Sequence, residues 1–183
     1  MYKHVYLAID PGTSMLGTSI HAITADDQWV VLHATTTNIE LVVRHTYPSN
    51  LVEMHGTRFY RNLVCGAVVQ NFANSWMVND CVSESPYMGR FANAFAALTE
   101  CMASMRTALY QRDPNRPLFT IDPSTIKKSV GVSGKSGDKE LMRAAVHRIA
   151  GNMVNINYLD EHAIDSIAVG YAWYRSVWLG KTI

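Results

Sequence analysis

The sequence predicts a mixed α/β domain in which helices flank a five-stranded β-sheet. Two observations lead to this prediction. Three strand-like segments come first, and segments with the helical spacing of apolar residues then alternate with two further short strands. In addition, 48% of the 183 residues are hydrophobic, which is enough to build a proper core and excludes global disorder. We therefore expect one domain that spans residues 1–183.

The first three strands are expected before residue 40. Residues 4–10 form a short apolar run that ends abruptly at Pro11 and Gly12, which is typical of a buried strand. Residues 16–24 and 29–37 are rich in strand-forming residues and are separated by a polar four-residue turn. These two segments are expected to pair as a hairpin.

A helical pattern begins near residue 50. Asn50, with Glu53 three residues later, resembles a helix N-cap with a capping box, and the helical spacing continues to about Trp76. Gly56 and Gly66 disfavour one continuous helix over this stretch.

Short strands and helices alternate in the rest of the chain. Residues 77–83 and 118–121 favour strands, and helices are expected at 138–150 and from about Asp160 to Trp178. An amphipathic helix lies between the two strands, with an apolar stripe formed by Phe91, Phe95, Leu98, Met102, Met105 and Leu109. This order of elements resembles that of the ribonuclease-H-like fold, which is therefore the expected architecture.

The composition argues against several classes of protein. No apolar run approaches the roughly 18 residues of a membrane span, and no leader-like segment opens the chain. The three cysteines, Cys65, Cys81 and Cys101, include no CxxC pair, so neither a disulfide framework nor a zinc ribbon is expected. These features predict a reducing, cytoplasmic location in a bacterial or virus-infected cell, with an organelle left open.

Positive charge is concentrated in one segment. The net charge of the chain is only +1, but residues 127–148 contain six basic side chains against two acidic ones. The basic residues are Lys127, Lys128, Lys135, Lys139, Arg143 and Arg148. Such a segment can attract a polyanion locally, although a solvated helix face would look the same.

Two acidic residues end predicted strands. Asp10 closes the first strand before a Pro-Gly turn, and Glu84 follows the fourth, at the sheet edge where α/β proteins build sites. His162 and Asp165 are three residues apart and therefore share one face near the start of the last helix. If all four converge, they form an oxygen-rich cluster with one imidazole, which suits Mg²⁺ or Mn²⁺.

Each of these residues also has an ordinary structural explanation. Asp10 could cap a turn, Glu84 could lie on the surface, and Asp165 could interact with the helix dipole. Glu161, four residues before Asp165, is a rival partner for that carboxylate. A lone His162 would more often be a structural histidine. The spacing alone leaves these alternatives open.

Four segments of the sequence resemble the RuvC-type Holliday-junction resolvases. They occur in the family's order and at about its spacings, and together they extend over roughly residues 4–178. The segments are DPGT at 10–13, ESPY at 84–87, KKSVG at 127–131 and HAIDSIA at 162–168. The resemblance implies a single nuclease domain that acts as a homodimer and resolves four-way DNA junctions by paired cuts.

The resemblance also implies metal-dependent phosphodiester hydrolysis. In that family four acidic or imidazole ligands bind divalent metal, and Asp10, Glu84, His162 and Asp165 occupy the matching positions. His162 stands where many members carry an aspartate and some carry a histidine. Mg²⁺ is the implied cofactor, with Mn²⁺ as a substitute and two ions per site, and the products carry 5′-phosphates and 3′-hydroxyls.

Further matches concern DNA binding and assembly. Tyr87 lies where the family carries an aromatic residue that stacks on an unpaired base at the opened crossover, although a core tyrosine is the alternative. The resemblance implies basic residues that hold the DNA backbone near the cut, and Lys127 or Lys128, together with Lys139, fits this role. Lys135 and Arg143 are further candidates for DNA contacts. Methionines at 88, 102 and 105 would suit a dimer interface if they are exposed, and core packing is the alternative.

Other functions stay open from the sequence. Residues 129–136 differ from a P-loop only by the missing first glycine, which would suit a nucleotide-hydrolysing protein or kinase, but the preceding strand ends well before them, at Ile121. The enzyme could instead be a broader nuclease for Y-junctions, forks and flaps. A non-catalytic junction-binding protein on the same fold is the remaining alternative.

Overall fold

The computed structural model describes residues 1–88, 91–132 and 139–181, and these form the predicted mixed α/β architecture. Within the described residues there is one sheet, with strand order β3-β2-β1-β4-β5. Its strands are β1 (Tyr2–Asp10), β2 (Met15–Thr24), β3 (Trp29–Asn38), β4 (Asp80–Glu84) and β5 (Leu118–Ile121). The first three strands are antiparallel, whereas β4 runs parallel to both β1 and β5.

Helices connect and cover the strands. They are α1 (Ile39–Thr46), α2 (Ser49–His55), α3 (Thr57–Ser75), α4 (Ala92–Arg112), α5 (Pro123–Ser129), α6 (Lys139–Ala150) and α7 (Glu161–Trp173). A 3₁₀ turn at Ile156–Tyr158 precedes α7, and a π-helical turn at Tyr174–Trp178 follows it. No helix in the described part of the chain is long and apolar enough to cross a membrane.

The helix predicted from Asn50 is two helices. Gly56 separates α2 from α3 and has φ of 88°, a left-handed conformation that glycine adopts without steric cost. The N-cap of α2 is Pro48, so Asn50 lies inside the helix and the predicted capping box is wrong. Gly66 does not interrupt α3; a side chain there would crowd Ser104 of α4, so its smallness serves close packing of the two helices.

Two short helices, α1 and α5, are not predicted from the sequence. α1 begins after Asn38, whose side chain accepts a hydrogen bond from the amide of Leu41. α5 begins with Pro123 in its first turn. Both have eight residues or fewer, which is too short for a helical period of apolar residues to stand out.

The two faces of the sheet have separate cores. Successive residues of β1 point to opposite faces, so Leu7 and Ile9 pack against α1, α3 and α4, while Tyr6 and Ala8 pack against α6 and α7. All three cysteines are free and buried, in the core on the α3–α4 side.

The apolar stripe of α4 belongs mainly to this core. Met102, Met105 and Leu109 are buried, whereas Phe91 lies before the helix and is exposed. Met102 and Met105 are therefore not exposed as a dimer interface would require, because α4 packs both side chains into the core of this chain. Of the three methionines, Met88 alone is exposed.

Candidate active site

Parallel pairing brings Asp10 and Glu84 to the same edge of the sheet. Ile9 of β1 pairs with Ser83 of β4, so the residues that follow them, Asp10 and Glu84, are the last of their strands and lie at the same carboxyl edge of the sheet. This is the edge at which α/β sheets usually bind ligands. The two carboxylates that the sequence places on separate strands are therefore neighbours.

The first turn of α7 lies directly on β2. Gly17 pairs with Asp10 across the β1–β2 ladder, and an ideal Cβ at Gly17 would lie 2.0 Å from the carbonyl oxygen of His162. Asp160 caps the helix by accepting a hydrogen bond from the amide of Ala163. Because Gly17 has no side chain, α7 can pack closely enough on β2 to place His162 beside Asp10 at the end of β1.

Asp10 and His162 are in direct contact. His162 donates a hydrogen bond from Nδ1 to Oδ2 of Asp10 at 2.8 Å. This bond is the main reason that the pKa of His162 is raised. Burial raises the pKa of Asp10, and the hydrogen bond from His162 opposes that rise.

Glu84 and Asp165 belong to the same electrostatic cluster. Burial raises the pKa of Glu84 to about 7, and repulsion from Asp10 and Asp165 adds to the effect. Burial likewise raises the pKa of Asp165 to about 7, with a further contribution from Asp10. The four residues predicted from the sequence are therefore gathered at one place in the fold.

The chemistry of this donor set fits a divalent cation, but its present spacing does not form a complete coordination shell. Three carboxylates and one imidazole are the ligands that Mg²⁺ and Mn²⁺ accept, and their mutual repulsion would be relieved by a cation. Among the described residues, however, no group of three or more histidine, cysteine, aspartate or glutamate side chains is close enough to share one ion. Asp10 and His162 bond to each other instead.

Two other carboxylates near the site have partners of their own. Asp160 accepts a hydrogen bond from the hydroxyl of Thr36 on β3 as well as from Ala163. Glu161 forms an ion pair with Lys139. Glu161 also lies 3.8 Å from Nε2 of His162, and its charge contributes to the raised pKa of Asp165, so it borders the same cluster.

Side chains of α1 and α3 hold the turn that follows Asp10. Ser14 donates a hydrogen bond to Glu40 at 2.9 Å, and Arg61 donates to the same carboxylate oxygen at 2.6 Å. Gly12 is required for the tightness of the turn, because a Cβ there would lie 2.0 Å from the carbonyl oxygen of Met15. Glu40 and Arg61 are not predicted as part of the site, because no local feature of the sequence indicates their contact with this turn.

The structure distinguishes the two lysines of α5. Lys127 lies close enough to lower the pKa of Glu84 and of Asp165, whereas Lys128 is exposed. The hydroxyl of Ser85 donates to Asp122 and so ties the loop after β4 to the start of α5. Of the two lysines of α5, Lys127 is therefore the one beside the carboxylate cluster.

The remaining residues predicted to bind DNA have different surroundings. Lys139 lines a cleft of about 420 Å³ together with His162 and Asp165. Arg143 lines it too, but its guanidinium donates to the backbone carbonyls of Ile156 and Leu159. Lys135 lies outside the described residues. Tyr87 is 71% exposed, which excludes the alternative of a core tyrosine.

Comparison with known proteins places this geometry in a recognised fold. Two structures of Thermus thermophilus RuvC are similar: one in complex with a Holliday junction substrate, with a TM-score of 0.71 and 16% identity, and one with 0.69 and 17%. Each comparison covers 96% of both chains. The yeast mitochondrial Holliday junction resolvase Ydc2 has a TM-score of 0.61 and 13% identity, covering 92% of this chain and 78% of Ydc2.

The chain has the RuvC fold. The predicted ribonuclease-H-like architecture is confirmed, and so is the resemblance to RuvC-type resolvases at the level of the fold. No protein-family model matches the sequence, and neither does any curated protein. At these sequence identities, function must be argued from the site.

Proposed function

We propose that this protein is a divalent-metal-dependent endonuclease for branched DNA, with the four-way junction as its preferred substrate. The observation that carries the proposal is the gathering of Asp10, Glu84, His162 and Asp165 at the carboxyl ends of parallel strands in a RuvC fold. One of the similar structures contains a Holliday junction. Residues 1–183 would form one nuclease domain.

Phosphodiester hydrolysis requires an activated water and neutralisation of the charge that builds up on oxygen. The four cluster residues would hold Mg²⁺, or Mn²⁺ in its place, and two such ions supply both requirements when bound. Asp10 orients the imidazole of His162 through the bond to Nδ1. Lys127 places a positive charge beside the carboxylates and is suited to hold a phosphate oxygen of the strand to be cut. The expected products carry 5′-phosphates and 3′-hydroxyls.

Selectivity for branched DNA is assigned to the loop that follows Glu84. Tyr87 holds its ring in solvent three residues after that carboxylate, where it can stack on a base that is unpaired at the branch point. Stacking of this kind contributes about 1–3 kcal/mol per base. A homodimer would present two such sites to the junction and allow paired cuts.

The P-loop alternative has less support. A P-loop follows a strand directly, but residues 123–129 form the helix α5, so a helix precedes the glycine-containing segment. A broader branched-DNA nuclease and a non-catalytic junction-binding protein would share the fold and the site, and they are separated by experiment.

The test compares three end-labelled substrates: a four-way junction, a Y-fork and a linear duplex, each incubated in Mg²⁺ or in EDTA. We expect paired symmetric nicks in the junction that require Mg²⁺ and are lost in Asp10→Asn. Asp10→Asn should still bind the junction, because basic residues supply the affinity. The matched control is Asp26→Asn, which makes the same change in the exposed β2–β3 turn and should cut normally.

The possible outcomes separate the alternatives. Cleavage by Asp10→Asn at the wild-type rate would refute the assignment of the site. Equal cutting of the Y-fork would retain the nuclease but replace junction resolution with general branch cleavage. Tight junction binding without cleavage in either Mg²⁺ or Mn²⁺ would indicate a non-catalytic junction-binding protein.

A further inference from the structure

The 3₁₀ turn before α7 presents an aromatic side chain to solvent. Tyr158 is the last residue of this turn and is 87% exposed, more than Tyr87. It adds nothing to the hydrophobic core, and the hydrolytic mechanism proposed above gives it no role. An exposed aromatic ring beside a candidate nucleic-acid site is a candidate stacking surface.

The backbone that carries Tyr158 is held firmly. Ile156, at the other end of the turn, is buried in the core beneath α6 and α7. Arg143 of α6 donates hydrogen bonds to the carbonyl of Ile156 at 3.1 Å and to that of Leu159 at 3.0 Å. Because the carbonyls on both sides of Tyr158 are fixed, the ring loses little backbone freedom when it binds a partner.

Tyr158 lies close to the proposed active site. It precedes His162 by four residues, so their Cα atoms are at most about 14 Å apart. This distance corresponds to about four nucleotide steps of a B-form strand. Of the two carboxylates in between, Glu161 forms an ion pair with Lys139, whose positive charge offsets its repulsion of a phosphate backbone. Asp160 is held by a hydrogen bond from the hydroxyl of Thr36.

The other side of the turn also suits nucleic acid. The segment between α6 and the turn borders an open hollow of about 400 Å³, whose described lining contains no aspartate or glutamate. It is lined by His147, Gly151, Asn152, Met153, Val154, Asn155, Ile156 and Asn157. The asparagine amides can hydrogen bond to phosphate and sugar oxygens, and Arg148 is exposed on the last turn of α6.

We infer that Tyr158 is a second base-stacking residue of the substrate site, which binds an unpaired base of single-stranded DNA on the α6 side of the carboxylate cluster. The asparagines of the hollow lie along the backbone of the same strand. This inference rests on the proposed function. It gives Arg143 the role of a positioning residue, which holds the turn that carries Tyr158.

The test uses equilibrium binding of fluorescently labelled DNA to Tyr158→Ala and Tyr158→Phe, both in the Asp10→Asn background so that no DNA is cut. The ligands are a four-way junction, single-stranded oligo(dT) and a closed duplex. Tyr158→Ala should raise the Kd for the junction and for oligo(dT) about tenfold, and the Kd for the duplex less than twofold. Tyr158→Phe keeps the ring and should bind like its parent.

A matched control is Tyr110→Ala, which removes another exposed tyrosine, on α4, and should leave every Kd unchanged. Unchanged affinity in Tyr158→Ala would overturn the inference, as would an equal loss on the duplex or an equal loss in Tyr158→Phe. Failure of the proposed function is seen separately, in wild-type protein that neither cuts the junction nor prefers it to duplex. The oligo(dT) arm still tests Tyr158 in that case.

Discussion

The two ends of α7 lie against β2 in the same manner but carry different chemistry. At the amino-terminal end, the carbonyl oxygen of His162 occupies the space that a side chain at Gly17 would need. At the other end the imidazole of His21 occupies the space next to Gly170, where a Cβ would lie 2.2 Å from the ring. The first contact brings ionisable groups to the edge of the sheet, whereas the second closes a buried aromatic cluster that includes Tyr6 and Trp173.

The two ends also respond to pH in opposite directions. Burial raises the pKa of Glu84 and of Asp165 to about 7. In acid, where both carboxyls are protonated, they favour the folded state, and this contribution to the free energy of unfolding is lost as pH rises through about 7. Burial lowers the pKa of His21 to about 3, so stability is lost as pH falls below its ordinary value of 6.5. The ionised carboxylates of the candidate site therefore cost stability at neutral pH, whereas His21 costs stability only in acid.

The largest effect is expected from a methyl group at Gly17. Gly17→Ala must push the start of α7 away from β2 and so misplace His162, and a shift of about 1 Å costs on the order of 100-fold in rate. Single-turnover cleavage of the junction measures this loss. A rate within twofold of wild type would show that the close approach is not needed for catalysis.

Gly170→Ala is the matched control for that experiment. It places the same methyl group against His21 at the buried end, where overpacking costs about 1–3 kcal/mol. We expect this variant to lose free energy of unfolding but to keep its cleavage rate once folded. If Gly170→Ala slowed cleavage as much as Gly17→Ala, the two ends of the helix would not be functionally distinct.

The next effect is the acid sensitivity contributed by His21. Between pH 7 and pH 5 the unfolded chain takes up a proton at this residue and the folded chain does not, so His21 should remove about 2 kcal/mol of stability. Urea unfolding of wild type and of His21→Gln at both pH values measures it. The change in free energy of unfolding from pH 7 to pH 5 should be more favourable in the variant than in wild type by about 2 kcal/mol, because the contributions of Glu84 and Asp165 are common to both proteins. An equal change in the two proteins would contradict the burial of a neutral His21.

Local signals predict much of the site but not how its parts meet. Asp10 before a Pro-Gly turn and Glu84 at a strand end are visible in the sequence because strand ends are marked by nearby residues. The contact of Gly17 with His162 joins residues that are far apart in the chain, and no local pattern reports it. Arg143 shows the same limit, since its charge predicts a phosphate contact while the fold directs it to two backbone carbonyls.

The smallest effect concerns the ion pair between Glu161 and Lys139 at the amino-terminal end of α7. Both side chains are substantially exposed, and exposed pairs contribute only about 0.2–1 kcal/mol. Glu161→Gln should release Lys139 to a phosphate and lower the Kd for the junction about two- to fivefold at low salt. The gain should shrink as salt is added, because ionic strength screens the contact. Binding titrations at two salt concentrations measure both effects.

Glu140→Gln separates release of the lysine from simple loss of negative charge. Glu140 is next to Lys139 and lines the same cleft, so its substitution removes the same charge but leaves the pair with Glu161 intact. An equal gain in affinity in both variants would mean that net charge alone matters. A gain confined to Glu161→Gln would show that Lys139 binds DNA once its ion pair with Glu161 is broken. At the buried end of α7, by contrast, the contact described above is the packing of the His21 ring against Gly170.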